Sequence, residues 1–222
     1  MHLNYANILR RVNPPVFFGK VQTLDWYLGA QEEWVRDMGI GGGRLLEVGC
    51  GPGLLTLRLN QNGIQASGVD KSPRMVTHAA RAGSRLGLSR VFKLADGESL
   101  PYPDATFGHT IAASVINIAD APEQVLREMA RVTKPGGTVS FFVPGEEMDQ
   151  HTTAAYAAQR GLRNFSAAAL LLWAKLAPKL SEAKAEELVS RVPSLNLVRM
   201  ARYLGGMAYA AICVKTESHD EN

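Results

Sequence analysis

The chain has 222 residues, 46% of them hydrophobic, which is enough to build the core of one large domain or two small ones. Lysine and arginine outnumber aspartate and glutamate by 24 to 21, an excess too small and too dispersed for a nucleic-acid-binding protein. Its two cysteines, Cys50 and Cys213, lie too far apart for a disulfide framework or a metal-binding spacing. The N-terminus lacks a signal-peptide pattern and no apolar run could span a bilayer, so we predict a cytoplasmic protein without a transmembrane segment.

Short apolar runs alternate with helical segments from about residue 43 onward. A helix start is marked by Ser72, a capping residue, followed by Pro73 at the first helical position. Alternation of this kind predicts βαβ units, a parallel sheet and helices on both of its faces. The predicted strands cover residues 44–48, 65–69, 91–94, 110–114 and 138–143, and the helices between them cover 54–60, 72–86 and 122–132.

The two ends of the chain depart from this alternation. Residues 21–38 have apolar side chains at helical spacing and predict one N-terminal helix. Residues 195–203 and 207–215 are strand-like and are separated by only three residues, so they form an antiparallel hairpin. The fold class is therefore α/β, a Rossmann-like, doubly wound, mostly parallel seven-stranded sheet with a C-terminal antiparallel hairpin.

The stretch LLEVGCGPG, residues 45–53, crowds glycines behind the first predicted strand. A P-loop would end in Gly-Lys-Ser/Thr, which is missing here. The dinucleotide fingerprint requires glycine at its first, third and sixth positions, but the sixth position counted from Gly49 is Leu54. The spacing Glu-x-Gly-x-Gly-x-Gly instead suits a ligand that lies flat against the turn.

Two acidic residues follow the next predicted strands. Asp70 ends the second strand, where a carboxylate can accept hydrogen bonds from both hydroxyls of a ribose. Asp96 follows the third strand and can accept from the exocyclic amine of adenine. An adenosine that has no phosphate and carries a positive centre satisfies this set, which points to S-adenosylmethionine.

Four segments resemble, in chain order, the successive motifs of class I S-adenosylmethionine-dependent methyltransferases: LLEVGCGPGLLTLRL, GVDKSPRMV, ADGESLPYPDATF and VLREMARVTKPGGTVSF. The similarity is greatest to the small-molecule branch that includes the ubiquinone/menaquinone-biosynthesis C-methyltransferases. One departure is Gly108-His109, where the family often has aspartate directly after the phenylalanine. The resemblance implies a single methyltransferase domain, residues 1–222, made of an N-terminal helical cap (1–40), a cofactor-binding core (43–144), a substrate-side helical segment (145–192) and the terminal hairpin (195–215).

The resemblance also implies roles for individual residues. The loop residues would orient and line the methionine and ribose, Asp70 would hold the ribose, and Ser114 would face the methionine and its methyl group. Residues after the second and third strands would flank the adenine and meet its edge. The implied cofactor-binding residues are Glu47, Gly49, Cys50, Gly51, Asp70, Lys71, Met75, Asp96, Gly97 and Ser114.

Methyl transfer requires alignment of nucleophile, methyl and sulfur, and exclusion of water. An oxygen or a neutral amine would also need a base, for which His151, Tyr5 and a carboxylate from residues 145–160 are candidates. Asn117 is a candidate substrate contact, and no residue spacing indicates a metal site. The sequence favours a small-molecule acceptor. It leaves open an apolar, lipid or quinone-type acceptor, a cofactor-binding protein without transfer activity, and the oligomeric state.

Three further stretches of the sequence allow more than one interpretation. Asn13-Pro14-Pro15-Val16 resembles a motif of amino-group methyltransferases but lies in the wrong place, so we interpret it as a turn in which prolines break a helix. The aromatic pairs at 17–18 and 26–27 could cover a cofactor, although packing is favoured for Trp26. Residues 165–177 could form a lid helix, a dimer face or part of the core.

Overall fold

A seven-stranded sheet lies at the centre of the computed structural model, which describes residues 14–217. The strand order is β3-β2-β1-β4-β5-β7-β6. Strands β1 to β5 pair in parallel, whereas β7 is antiparallel to both β5 and β6. The predicted fold class is confirmed. The strands are β1 (Leu45–Val48), β2 (Ala66–Asp70), β3 (Phe92–Leu94), β4 (Phe107–Ala113), β5 (Thr133–Pro144), β6 (Leu195–Tyr203) and β7 (Ala208–Lys215).

Helices cover both faces of this sheet, so all four residues of β1 are buried. Short 3₁₀ turns at Ser89–Val91 and Leu204–Gly206 complete the described elements. The helices are α1 (Pro14–Gln22), α2 (Asp25–Asp37), α3 (Leu54–Gln61), α4 (Pro73–Ser84), α5 (Pro122–Val132), α6 (Gln150–Gln159), α7 (Asn164–Leu176) and α8 (Glu182–Ser190).

Two large hydrophobic clusters form the core, one on each face of the sheet. Successive residues of a strand point to opposite faces, and accordingly Phe142 packs with Trp34 in one cluster while Phe141 packs with Met129 in the other. The first cluster joins the sheet to α2, α6 and α7, and the second joins it to α5 and α8. The segment between β5 and β6 therefore contributes helices to both faces.

The strand order reverses between β1 and β4. In open α/β sheets, ligands bind in the crevice beyond the carboxyl ends of the strands at such a switch point. The loops that follow β1, β2, β3 and β4 all leave the sheet at this edge, because these strands are parallel.

The N-terminal helical region differs from the prediction in two ways. The single helix predicted for residues 21–38 is two helices, separated where Thr23 Oγ1 donates to the Lys20 carbonyl at 2.8 Å and Leu24 adopts an extended conformation. The interpretation of residues 13–16 as a turn that breaks a helix is wrong, since α1 begins at Pro14. Proline is compatible with the first turn of a helix because the N–H it lacks has no partner there.

The start of β4 also carries a local irregularity. Pairing between β4 and β5 shifts register between Phe107 and His109, and β5 begins at Thr133 rather than at the predicted 138. A Cβ built on Gly108 would lie 3.5 Å from Gly43 Cα. The departure from the family pattern at Gly108-His109 therefore coincides with a bulge at which two backbone segments approach closely.

Candidate active site

A cavity of about 350 Å³ lies at the carboxyl edge of the sheet, within the size range of small-molecule sites. Loops after β1 to β4 form one side of it, and residues of α1 and α7 form the other. The structure brings eight of the ten implied cofactor-binding residues to its wall, namely Gly49, Gly51, Asp70, Lys71, Met75, Asp96, Gly97 and Ser114.

The glycine loop after β1 is shaped by three left-handed residues, Gly49 (φ 72°), Gly51 (φ 53°) and Gly53 (φ 88°). A Cβ built on Gly53 would lie 2.7 Å from Ala79 Cβ and 2.7 Å from Phe92 Cζ. A Cβ on Gly51 would approach only Gln22 Nε2, at 3.8 Å. Gly53 therefore serves the packing of α3 against α4, whereas Gly51 leaves space in the cavity.

Asp70 joins the loop after β1 to the loop after β2. Its Oδ2 accepts a hydrogen bond from Gly51 N at 2.8 Å, and its Oδ1 accepts one from Ser72 N at 2.8 Å. Burial raises the pKa of this carboxyl, against the two backbone donors that lower it. Each oxygen has a further lone pair with which to accept a ligand hydroxyl.

Ser114, directly after β4, is a strained residue with an unused hydroxyl. Its φ is 55°, a left-handed value uncommon outside glycine, and its backbone N–H donates to the Phe142 carbonyl at 2.7 Å. Its Oγ is buried and has no hydrogen-bond partner among the described residues. Ser114 lines the cavity, and a strained residue with an unpaired buried polar atom beside a cavity is a candidate ligand-binding position.

Two implied residues, Glu47 and Cys50, do not reach the cavity. The Glu47 side chain points into the protein, where its Oε2 accepts a hydrogen bond from Thr56 Oγ1 at 2.5 Å and joins β1 to α3. Burial raises the pKa of Glu47 to about 7. Cys50 packs against Phe92 in a small apolar cluster, and burial raises the pKa of its thiol, which disfavours the reactive thiolate.

Several lining residues are not among the ten that the resemblance implied, although the aromatic pair at 26–27 and residues 165–177 were possible covers of the site. Gln22, at the end of α1, accepts a hydrogen bond from Leu54 N at 3.3 Å and thereby contacts the first turn of α3. Trp173 of α7 stacks on Trp26 with ring centroids 5.9 Å apart and meets Tyr27 edge-on at 5.5 Å. Tyr27 and Trp173 line the cavity and Trp26 does not, which agrees with a packing role for Trp26.

The candidates for catalysis and substrate binding lie elsewhere. His151 is exposed in the first turn of α6 and does not line the cavity. Tyr5 is outside the described residues. Asn117 Nδ2 donates to the Pro178 carbonyl at 2.9 Å, so this side chain joins the loop after β4 to the segment after α7. Its neighbour Ile118 lines the cavity instead.

The described part of the chain contains no cluster of three or more histidine, cysteine, aspartate or glutamate side chains that could hold a metal ion. Among residues 14–217, no helix combines the length and the apolar content needed to cross a membrane.

Comparison with known proteins identifies the central part of the chain. Residues 46–141 match the family described as "Methyltransferase domain". This part of the chain is therefore similar to methyltransferase domains. The solved S-adenosylmethionine-dependent methyltransferase from Aquifex aeolicus has the same fold, with a TM-score of 0.65 over 89% of this chain and 98% of that chain at 18% identity.

Two curated relatives are similar to part of this chain. Phosphatidylethanolamine N-methyltransferase of Cereibacter sphaeroides is 39% identical over 100 residues, which are 44% of this chain and 49% of that protein. 27-O-demethylrifamycin SV methyltransferase of Amycolatopsis mediterranei is 33% identical over 103 residues, which are 45% of this chain and 38% of that protein. The chain spans half or less of the length of these curated relatives.

S-adenosylmethionine is the cofactor of class I methyltransferases, and the residues in the cavity fit it. The wall includes Asp70, which ends β2, and Asp96, which follows β3. Ser114, whose buried hydroxyl has no partner among the described residues, lines the same space. Carboxylates accept hydrogen bonds from hydroxyl and amino groups, and the cofactor supplies hydroxyls on its ribose and amino groups on its adenine and methionine.

Proposed function

We propose that this protein transfers the methyl group of S-adenosylmethionine to a small, largely apolar acceptor. The observation that carries this proposal is the composition of one cavity. The carboxylates of Asp70 and Asp96 lie on the side formed by the sheet, and the side chains of Leu172, Trp173 and Leu176 lie on the side formed by α7. The same cavity therefore offers polar surface to a nucleoside and apolar surface to an acceptor.

In the proposed arrangement, Asp70 holds the ribose, Asp96 and Gly97 meet the adenine edge, and Ser114 contacts the methionine. Lys71 and Met75 flank the adenine ring. The bound cofactor supplies an electrophilic methyl group on a sulfonium. The chain's own task is to orient the two reactants and to exclude water, since methyl displacement dissipates charge.

The N-terminal helices and α7 are proposed to enclose the reactants. Gln22 contacts the start of α3, and the Trp26–Trp173 stack connects α2 to α7. The described residues that line the cavity include no histidine, which favours an acceptor atom that is already nucleophilic. The relatives named for phosphatidylethanolamine and for a demethylrifamycin support a small-molecule or lipid acceptor rather than nucleic acid.

A cytoplasmic location is part of the same proposal. Both cysteines are free and buried, as is usual in a reducing compartment. The division of the chain into a helical cap, a cofactor-binding core and a substrate-side segment is likewise proposed from the resemblance.

Calorimetry with S-adenosylmethionine and S-adenosylhomocysteine tests cofactor binding. We expect micromolar affinity for both ligands, a loss of at least tenfold in Asp70→Ala, and no change in Asp120→Ala, an exposed aspartate outside the cavity lining. Far-UV circular dichroism of both variants checks that they are folded. No binding to the folded wild-type protein would refute the proposal.

Transfer itself is tested with cofactor labelled in its methyl group and a panel of quinols, aminolipids and apolar amines. Label recovered in an acceptor supports the enzyme. Cofactor binding without transfer to any acceptor class would instead show a cofactor-binding protein.

A further inference from the structure

The charges of this chain are unevenly distributed. Residues 1–24 and 150–181 contain seven of the 24 lysines and arginines and no aspartate or glutamate. The rest of the chain has 17 lysines and arginines against all 21 acidic residues. A chain with a net charge of only +3 therefore contains two segments that are purely cationic, although an ordinary solvated surface mixes both signs.

The described parts of these two segments border one cavity. Residues of α1 and residues of α7 line it. The helix between them in sequence, α2, begins at Asp25 and contacts α7 through the stack of Trp26 on Trp173 and the edge contact of Tyr27 with Trp173. The fold thus brings α1 and α7, which contain no acidic residue, to the same cavity.

This region also exposes large apolar side chains. Val16 is 46% exposed, Ile118 is 47% exposed and Phe165 is 42% exposed, and these are three of the six large hydrophobic residues that are exposed among residues 14–217. The first lies in α1, the second on the rim of the cavity and the third in the first turn of α7. Together with the exposed cations Lys20, Arg163 and Lys175 they define what we call the cap surface.

We propose that the cap surface docks on an anionic lipid bilayer, so that the acceptor enters the cavity from the lipid side. The inference rests on the proposed function and adds that the enzyme takes up its acceptor at the surface of a lipid bilayer. Exposed cations are attracted to anionic headgroups, while exposed apolar side chains enter the acyl boundary. Docking would be shallow, because the 13 residues of α7 are fewer than the roughly 20 that span a bilayer.

Vesicle co-sedimentation of the full chain tests this proposal. The vesicles are phosphatidylcholine, with or without phosphatidylglycerol as the anionic lipid. We expect binding that requires phosphatidylglycerol and weakens as salt is raised. The double variant Lys20→Glu/Lys175→Glu should bind at least tenfold more weakly, since each surface cation is worth about fivefold in partitioning.

The matched charge control is Arg90→Glu/Lys134→Glu, which makes the same change in net charge at exposed positions before β3 and at the start of β5, at the opposite edge of the sheet. Val16→Ser/Phe165→Ser removes apolar area from the cap surface, and Leu86→Ser/Val198→Ser does so at exposed positions elsewhere. We expect both cap-surface variants to lose vesicle binding and both controls to keep it. None of these residues lines the cavity, so all four variants should bind S-adenosylhomocysteine like the wild type.

The outcomes separate this proposal from the proposed function. Cofactor binding without vesicle binding would overturn the docking surface and leave methyl transfer intact. Equal losses in cap-surface and control variants, or equal binding to vesicles with and without phosphatidylglycerol, would also overturn it. Absence of cofactor binding in the wild type would instead refute the proposed function.

Discussion

Ser114 combines a conformational cost with an unused hydrogen-bonding group. Its left-handed φ is disfavoured for any residue with a Cβ, and its buried Oγ has no partner among the described residues. Both costs are explained if the hydroxyl is used when a ligand binds. This interpretation separates the backbone of Ser114, which concerns stability, from its hydroxyl, which concerns binding.

Two substitutions distinguish these contributions. Ser114→Ala and Ser114→Gly both remove the hydroxyl, so both should weaken S-adenosylhomocysteine binding by about tenfold. Only glycine relieves the positive φ, so Ser114→Gly should be more stable than Ser114→Ala by about 1 kcal/mol. Calorimetry and urea unfolding measure the two effects. Unchanged affinity in both variants would contradict a role of the hydroxyl in binding.

Glu47 makes stability depend on pH. Its carboxyl is buried against Thr56, and burial raises its pKa from 4.5 to about 7. The folded protein therefore holds a proton that the unfolded chain has released between these values, so the free energy of unfolding falls as pH rises from about 4.5 through 7. The loss attributable to this one group is on the order of 3 kcal/mol.

Glu47→Gln keeps an oxygen that can accept from Thr56 Oγ1 and cannot ionise. We expect the variant to become more stable relative to the wild type as pH rises from 5 to 8, as measured by urea unfolding at each pH. Other titrating groups, including Asp70, are present in both proteins and contribute equally. Parallel stability curves across this range would show that Glu47 does not titrate as proposed.

At the scale of elements, local signals in the sequence predicted the sheet and most helices. Pro122–Val132 is a helix with the predicted bounds, and α4 begins at the predicted Ser72-Pro73 signal, where Ser72 Oγ accepts from Met75 N at 3.4 Å. At Pro14, by contrast, the presence of proline led to a wrong prediction. A proline can begin a helix or break one, and only the surrounding packing determines which occurs.

Only one side of the cavity was predicted residue by residue. Eight of the ten residues that the resemblance implied line it. For the other side the sequence offered alternatives, since the aromatic pairs at 17–18 and 26–27 and residues 165–177 could cover the site or pack in the core. Gln22 and Trp173 lie more than 100 residues apart and become neighbours of the site only through the packing of α1 and α7 on the sheet. An apolar helical pattern does not state which helix it will contact, so the sequence could not choose between these alternatives.

The glycine loop allows a test that separates packing from binding. In Gly53→Ala the new Cβ would press on Ala79 and Phe92 in a left-handed backbone, so we expect a loss of about 3 kcal/mol in the free energy of unfolding. Gly51→Ala meets only the end of Gln22, so its stability loss should be about 1 kcal/mol. Its Cβ lies at the cavity wall, and we therefore expect it to weaken cofactor binding. Urea unfolding and calorimetry give both values, and a reversed order of stability would contradict this assignment.

At the scale of the whole molecule, the N-terminal helices are part of the main core. Trp26 and Trp34 of α2 lie in the same cluster as Phe142 of β5, and Trp34 Nε1 donates to Ser140 Oγ at 2.8 Å. Tyr203 OH donates to Asp37 Oδ2 at 2.9 Å and joins the end of β6 to α2. Buried contacts of this kind couple the helices that cover the cavity to the sheet beneath them.

This coupling predicts how the protein unfolds. All three tryptophans, Trp26, Trp34 and Trp173, belong to or pack against the cluster on one face of the sheet, so tryptophan fluorescence reports that face alone. Circular dichroism at 222 nm reports the helices on both faces. If the two faces unfold together, the urea midpoints from the two measurements coincide, and we expect this result. A fluorescence midpoint at lower urea would mean that α2 and α7 detach while the other face stays folded, and the cavity would then lose one wall before the protein unfolds.

Adding S-adenosylhomocysteine should raise both midpoints together, because a ligand held between the sheet and α7 stabilises only the state in which both are in place.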